Sequence, residues 1–193
     1  MPPSTSTTVD PAVYETAVWP WVESITRYDD PVEAAKGFAL DFLGFDQVFA
    51  GKFMEGDSRS GEVEIRQFRA GPTTTVFVRQ LGPDDTWWVL GSATENIRLD
   101  EPDALDEIDS PLTVSGESVA FEGVVNVDLR VDGSTTPLVE GIVMGGGTEL
   151  LPFEETFTFD DPGQGRGALV LFTISARDGE VQEASVLRVV FGS

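Results

Sequence analysis

A mostly β fold in two domains is predicted from three features of the 193-residue sequence, a length that accommodates one large or two small domains. A single amphipathic helix pattern lies in the N-terminal half, among strands joined by tight turns. Strand patterns recur in the C-terminal half at a spacing of roughly ten residues, punctuated by turn signals. Between the halves lies Leu99 to Asp109 (LDEPDALDEID), which holds six acids and a proline and reads as a boundary. The expected architecture is a small α+β domain, one helix on an antiparallel meander, followed by an immunoglobulin-like β-sandwich. The boundaries read as a disordered tether at 1–12, the α+β domain at 13–99, an acidic linker at 100–109 and the sandwich at 110–193.

The tether assignment rests on Pro/Ser/Thr richness. The apolar, proline-broken segment Ala17 to Val22 carries Trp19 and Trp21. They are expected to strap the first core, with a carbohydrate-stacking platform as the alternative. Asp30-Pro31-Val32-Glu33 is a helix start: Asp30 caps, Pro31 suits the first helical position, and Glu33 stands three residues past the cap. Ala35, Phe38, Ala39, Phe42 and Leu43 then form one apolar stripe, and Gly44 is expected as the left-handed residue that ends the helix. Such a stripe needs a sheet to cover it. The meander supplies one through Glu62 to Arg69, Thr73 to Leu81, Trp87 to Leu90 and a last strand near Ile97 and Leu99. In outline this is cystatin-like or nuclear-transport-factor-like.

In the second half, strands are expected near Leu112 to Ser115, Glu117 to Ala120, Gly123 to Val131, Leu138 to Met144, Phe153 to Phe159, Ala168 to Ser175 and Ser185 to Phe191. The clearest is Val125, Val127, Leu129 and Val131 alternating with Asn126, Asp128 and Arg130, one set of side chains to each face. Phe157, Phe159, Phe172, Leu187, Val189 and Phe191 are expected to fill the space between the sheets. Without a cysteine pair, this is an immunoglobulin-like outline that lacks the antibody hallmarks.

Charge excludes some functions. Thirty-four acids against 12 bases give −22. Up to residue 107 there are 20 acids and 8 bases, and beyond it 14 and 4, so the halves carry −12 and −10 and the acidity is no tail. Such a surface repels phosphate backbones and anionic headgroups, so neither nucleic acid nor direct anionic-membrane binding is expected. No apolar run approaches the ~20 residues of a membrane span. Met1 is followed directly by Pro2, Pro3 and the polar run Ser4 to Thr8. That beginning suits a secreted protein or lipoprotein ectodomain with its leader removed, and also an ordinary flexible N-terminus.

Chemistry is narrowed further. The chain has no cysteine and no histidine, which excludes disulfides, thiolate metal sites, His-bound zinc and a Ser-His-Asp triad. A glycosidase-type carboxylate pair is what remains, and 34 acids make chance proximity uninformative. The glycines at 145–147 lack the lysine of a phosphate loop. The loop Glu55 to Gly61 places Asp57 and Ser60 near a glycine, as calcium loops do, but Arg59 stands where a ligand is required. A hairpin connection is expected there, and a solvated linker rather than a calcium cluster at 99–109. No catalytic residue, metal ligand or cofactor is assigned. The candidate ligand-binding residues are Asp57, Arg59, Trp87 and Trp88. Neighbours on a strand face opposite ways, so one of the two tryptophans should be core and the other should face solvent or the neighbouring domain. Beside Arg59, an exposed tryptophan would make a glycan platform.

Several motifs of the second half are familiar in their order: SPLTVSG at 110–116, FEGVVNV at 121–127, the segment Gly141 to Gly147, PFE at 152–154 and SARDG at 175–179. Together they resemble the Gmad2 family, an immunoglobulin-like domain of bacterial sporulation and germination-associated proteins, over about residues 108–192. The N-terminal half resembles the domain that precedes it in some bacterial lipoprotein-like proteins. The resemblance implies an extracytoplasmic, membrane-anchored, non-catalytic binding or adhesion protein whose partner is a cell-wall glycan or an envelope protein. A structural module scaffolding another envelope protein is the alternative, and a carboxylate-based glycan hydrolase a further one. Oligomeric state is not legible.

Overall fold

The structure, a computed structural model, describes residues 11–134 and 136–192. Residues 1–10 of the expected tether lie outside the described residues, and Pro11–Tyr14 forms a 3₁₀ turn. The helix begins as its sequence dictates. Asp30 accepts from the backbone N–H groups of Val32 and Glu33 at 2.8 and 3.0 Å, and Pro31 occupies the first turn. Glu33 does not close a capping box but pairs with Lys36 at 2.7 Å. The helix α1 (Pro31–Gly37) runs on into a π-helical turn (Phe38–Phe42), and Gly44 follows with φ of +79°.

Five strands succeed it: β1 (Phe49–Asp57), β2 (Ser60–Arg66), β3 (Thr74–Leu81), β4 (Thr86–Thr94) and β5 (Ile97–Glu101). After them come β6 (Glu107–Ile108), β7 (Leu112–Ser118), β8 (Val124–Val131), β9 (Val139–Met144), β10 (Leu151–Phe157), β11 (Gly165–Ile174) and β12 (Val181–Phe191). One hydrogen-bonded path runs β1-β2-β3-β4-β12-β11-β8-β9, and β5-β7-β10 forms the facing sheet of the sandwich. Strand β1 has no counterpart in the sequence reading. It is an exposed edge strand with two irregularities in its pairing to β2, so its side chains carry no alternation to detect.

Two large hydrophobic cores result, with a smaller cluster of Tyr14, Ala17 and Trp88 on the outer face of β4. The first holds Phe38, Ala39 and Phe42 of the helix against Val63, Ile65, Val76, Val78, Trp87 and Val89 of the meander. The second holds Val114, Val125, Val127, Leu129, Val143 and Phe153 between the two sheets of the sandwich. They share a wall. Ala168, Val170, Ala184 and Val186 of β11 and β12 face the first core, while Leu169, Leu171, Val189 and Phe191 of the same strands face the second. Strand alternation, which usually separates core from solvent, here separates core from core.

This wall corrects three sequence expectations. Phe172 packs against the helix-side core, not between the sheets of the sandwich. Strand β5 pairs with β4 at one position but with β7 at four, so the second unit begins before residue 100. Residues 100–109 are bonded to β12 and do not span free. Leu105 N–H donates to the Arg188 carbonyl at 2.8 Å, Val190 N–H to the Asp106 carbonyl at 2.9 Å, and β6 pairs in parallel with β12.

Candidate functional site

The four residues singled out from sequence do not converge. Trp87 and Trp88 do face opposite ways, but both are buried, at 8% and 0% exposure. Trp87 meets Phe53 edge-on at 5.1 Å in the first core. Trp88 meets Tyr14 of the N-terminal segment with the rings tilted, centroids 4.3 Å apart, and the Arg27 guanidinium lies 4.8 Å above its ring. Neither ring is free to stack on a sugar, since Trp87 lies in the first core and residues 11–28 cover the outer face of β4. This covering segment was legible only as an apolar strap.

Asp57 and Arg59 form a hairpin turn, as expected. The Asp57 carboxylate accepts from the Arg59 backbone N–H at 2.7 Å, and that bond, followed by one from the Ser60 side chain, holds its pKa below the ordinary carboxylate value. Arg59 reaches across to the neighbouring turn, pairing with Asp85 at 2.7 Å and donating to the Gln80 carbonyl at 3.3 Å. Both charges are exposed, and together they tie two turns to each other. Among the described residues no group of three or more Asp or Glu side chains is arranged to hold a metal ion.

The seam between the halves is polar. Strand β4 pairs with β12 at one register position, Ser92 with Val186, and side chains complete the join. Ser92 Oγ donates to the Ala184 carbonyl (2.8 Å), Ala184 N–H to Thr74 Oγ1 (3.1 Å), and Ser185 Oγ to the Ile97 carbonyl (2.8 Å). At its end Glu183 is 4% exposed and accepts from Thr94, Asn96 and Thr173 with no cation beside it. Burial raises its pKa, against the opposing effect of those three hydrogen-bond donors. A carboxyl held this way by neutral donors joins strands.

The surface feature that best suits binding is an apolar corner of the sandwich. Phe121, Met144, Ile142 and Leu151 are 67%, 56%, 49% and 45% exposed. Backbone bonds gather them. Gly145 N–H donates to the Gly123 carbonyl and Ala120 N–H to the Gly146 carbonyl, which sets the turn carrying Phe121 beside the end of β9. The tip of Leu151 lies against Gly146, where a Cβ would stand 3.2 Å from it. Ile142 and Met144 share the outer face of β9, the last strand of its sheet. The signal was present in the sequence: Ile142, Val143 and Met144 are consecutive apolar residues, so both faces of this strand are apolar, and the one turned from the core is exposed.

Against known proteins, residues 96–180 match the family model of Gmad2, the immunoglobulin-like domain of bacterial spore germination. The match begins at the turn into β5, where the structure also starts the sandwich, and takes in β5 through β11. No curated protein and no solved structure matches the chain.

Proposed function

Taking residues 96–180 as a Gmad2 immunoglobulin-like domain, we propose that the chain is a non-catalytic binding module of the bacterial cell envelope. It is displayed outside the membrane in a sporulation- or germination-associated setting, and it engages an envelope protein. The observation that carries the protein partner is the apolar corner formed by Phe121, Ile142, Met144 and Leu151. Exposed apolar groups beside an open strand edge suit strand addition or a flat protein contact. A wall glycan is the weaker reading, since both candidate tryptophans are buried. The shared wall supports a scaffolding role as well: a partner held at the sandwich corner is held at a fixed distance from the helix-and-meander unit.

The test presents the protein to two fractions, insoluble purified cell wall and detergent-solubilised envelope protein after crosslinking. The expected result is protein left in the supernatant with wall at every salt concentration, together with a discrete crosslinked species that disappears in the double variant Ile142→Lys, Met144→Lys. Salt-resistant pelleting with wall that the double variant retains would overturn the reading and restore the glycan.

A further inference from the structure

The seam that joins the two cores leaves an opening. Strand β4 bulges at Leu90, so that Gly91 and Val89 pair with consecutive residues of β3. Gly91 itself lies so close to β12 that a Cβ there would stand 2.5 Å from the Val186 carbonyl oxygen. Beyond Ser92 and Val186 the strands part, and the edge of β12 is next covered where Leu105 bonds to Arg188. Between those two points lies a cleft of about 490 Å³, within the roughly 300–1,000 Å³ typical of small-molecule sites.

The walls of the cleft are Phe77, Leu90, Ile97, Leu99, Val186 and Leu187, and Ala104 of the connecting segment forms its lip. No aspartate or glutamate lines it, although the chain holds 34. Two arginines do. Arg188 is committed: its guanidinium grips Asp132 at 2.5 and 2.6 Å and donates to the Glu15 carbonyl at 3.0 Å. Arg98 is exposed, and among the described residues its guanidinium makes no hydrogen bond or ion pair, even with Glu117, its register neighbour on β7. An apolar hollow with one uncommitted cation at its rim, on a protein of charge −22, is complementary to an apolar chain that ends in a negative charge.

We propose that this cleft binds a free amphiphilic carboxylate, a single acyl or aryl-alkyl chain, with its apolar part between Phe77, Leu90, Leu99 and Leu187 and its carboxylate on Arg98. The site is separate from the sandwich corner and is made by neither half alone, since β3, β4, β5 and β12 all contribute to it. The ligand would bridge the weakly paired part of the seam and tighten one half on the other.

The probe is 11-(dansylamino)undecanoate, titrated below its aggregation concentration and followed by fluorescence, with unlabelled dodecanoate as competitor. Saturable one-to-one binding displaced by dodecanoate is expected, with affinity weaker by about tenfold in Arg98→Glu, the loss of one charge-assisted hydrogen bond. Ala104→Trp, which fills the mouth from an exposed position, should abolish it. Thermal midpoints equal to that of the parent show that both variants are folded. Non-saturable partitioning, or equal affinity in parent and both variants, overturns the proposal. So does retention on dodecanoate-bearing vesicles without binding of the monomer.

Discussion

The two cores on either side of the β11–β12 wall are built differently. The helix side is rich in aromatics, with Trp19, Trp87, Phe38, Phe42 and Phe45, and meets the wall chiefly at smaller residues, Ala168, Val170, Ala184 and Val186. The sandwich side is mainly aliphatic, with no tryptophan, and meets the same two strands at Leu169, Leu171, Leu187, Val189 and Phe191. A sheet packs on another sheet through interdigitating side chains about 10 Å apart. The helix lies over β1 to β4, so the wall strands meet the helix-side core at its margin. Ala34, Ala35 and Ala39 of the helix and Ala168 and Ala184 of the wall are the small members of that core, and the aromatic rings fill the space among them. One pair of strands thus satisfies two packing rules at once, because its even and odd positions were chosen separately. The N-terminal unit is therefore built onto the outer face of an immunoglobulin-like sandwich and is not strung to it by a linker.

The sharpest way to break this comparison is Phe38→Ala. Phe38 is fully buried in the helix-side core, and its truncation should cost about 3–5 kcal/mol. With a shared wall, denaturant unfolding followed by tryptophan fluorescence and by far-ultraviolet circular dichroism should show one coincident transition at a lower midpoint. Separate transitions for the two probes would mean that the cores are independent.

A smaller effect is expected from Arg188→Met, which keeps the aliphatic stem on the helix-side face of β12. It leaves Asp132 and the Glu15 carbonyl without their donor. The expected loss is about 2 kcal/mol, below the value for a fully buried pair because Asp132 is about a third exposed. Hydrogen exchange should accelerate in residues 12–20 more than in β8. Uniform acceleration would show that Arg188 does not anchor the N-terminal segment.

The smallest effect is a pH slope at the seam. Because burial raises the Glu183 pKa in the folded chain, its contribution to stability is complete below the unfolded-state carboxyl pKa. That contribution is lost as pH rises through the raised folded value. Asp57 and Asp178 are shifted the other way and contribute the opposite slope, so the difference between parent and Glu183→Gln isolates the seam. The parent should lose stability relative to the variant across that window. A difference that stays flat with pH would show that Glu183 is ionised equally in both states.

Much of this architecture could be read from local residues. Asp30 and Pro31 announced the helix start, Gly44 its end, and the alternation in 124–131 gave β8 its two faces. Strand β12 was expected from Ser185 but begins at Val181, because Glu183, a charged residue in a buried strand, looks like loop until Thr94, Asn96 and Thr173 are placed around it. The site was less legible. Trp87 and Trp88 were correctly assigned to opposite faces, but which face would meet solvent depended on residues 11–28, distant in sequence. Phe172 was assigned to the wrong core because alternation states that two faces exist without stating what covers each.

By itself the sequence determined most of the secondary structure, an immunoglobulin-like second half that resembles Gmad2, and the exclusion of histidine- and cysteine-based chemistry. These follow from backbone preferences, side-chain periodicity and composition, all of which act within a few residues. Only the tertiary structure decided that the two cores share β11 and β12, that the acidic segment 100–109 lies along β12, and that Arg98 stands uncommitted beside an apolar opening. Those features depend on which surfaces meet across more than eighty residues of chain, as when Thr94 and Asn96 of the first half close on Glu183 of the second. Contacts of that range are settled by burial and hydrogen-bond satisfaction over the whole chain, which no local pattern records.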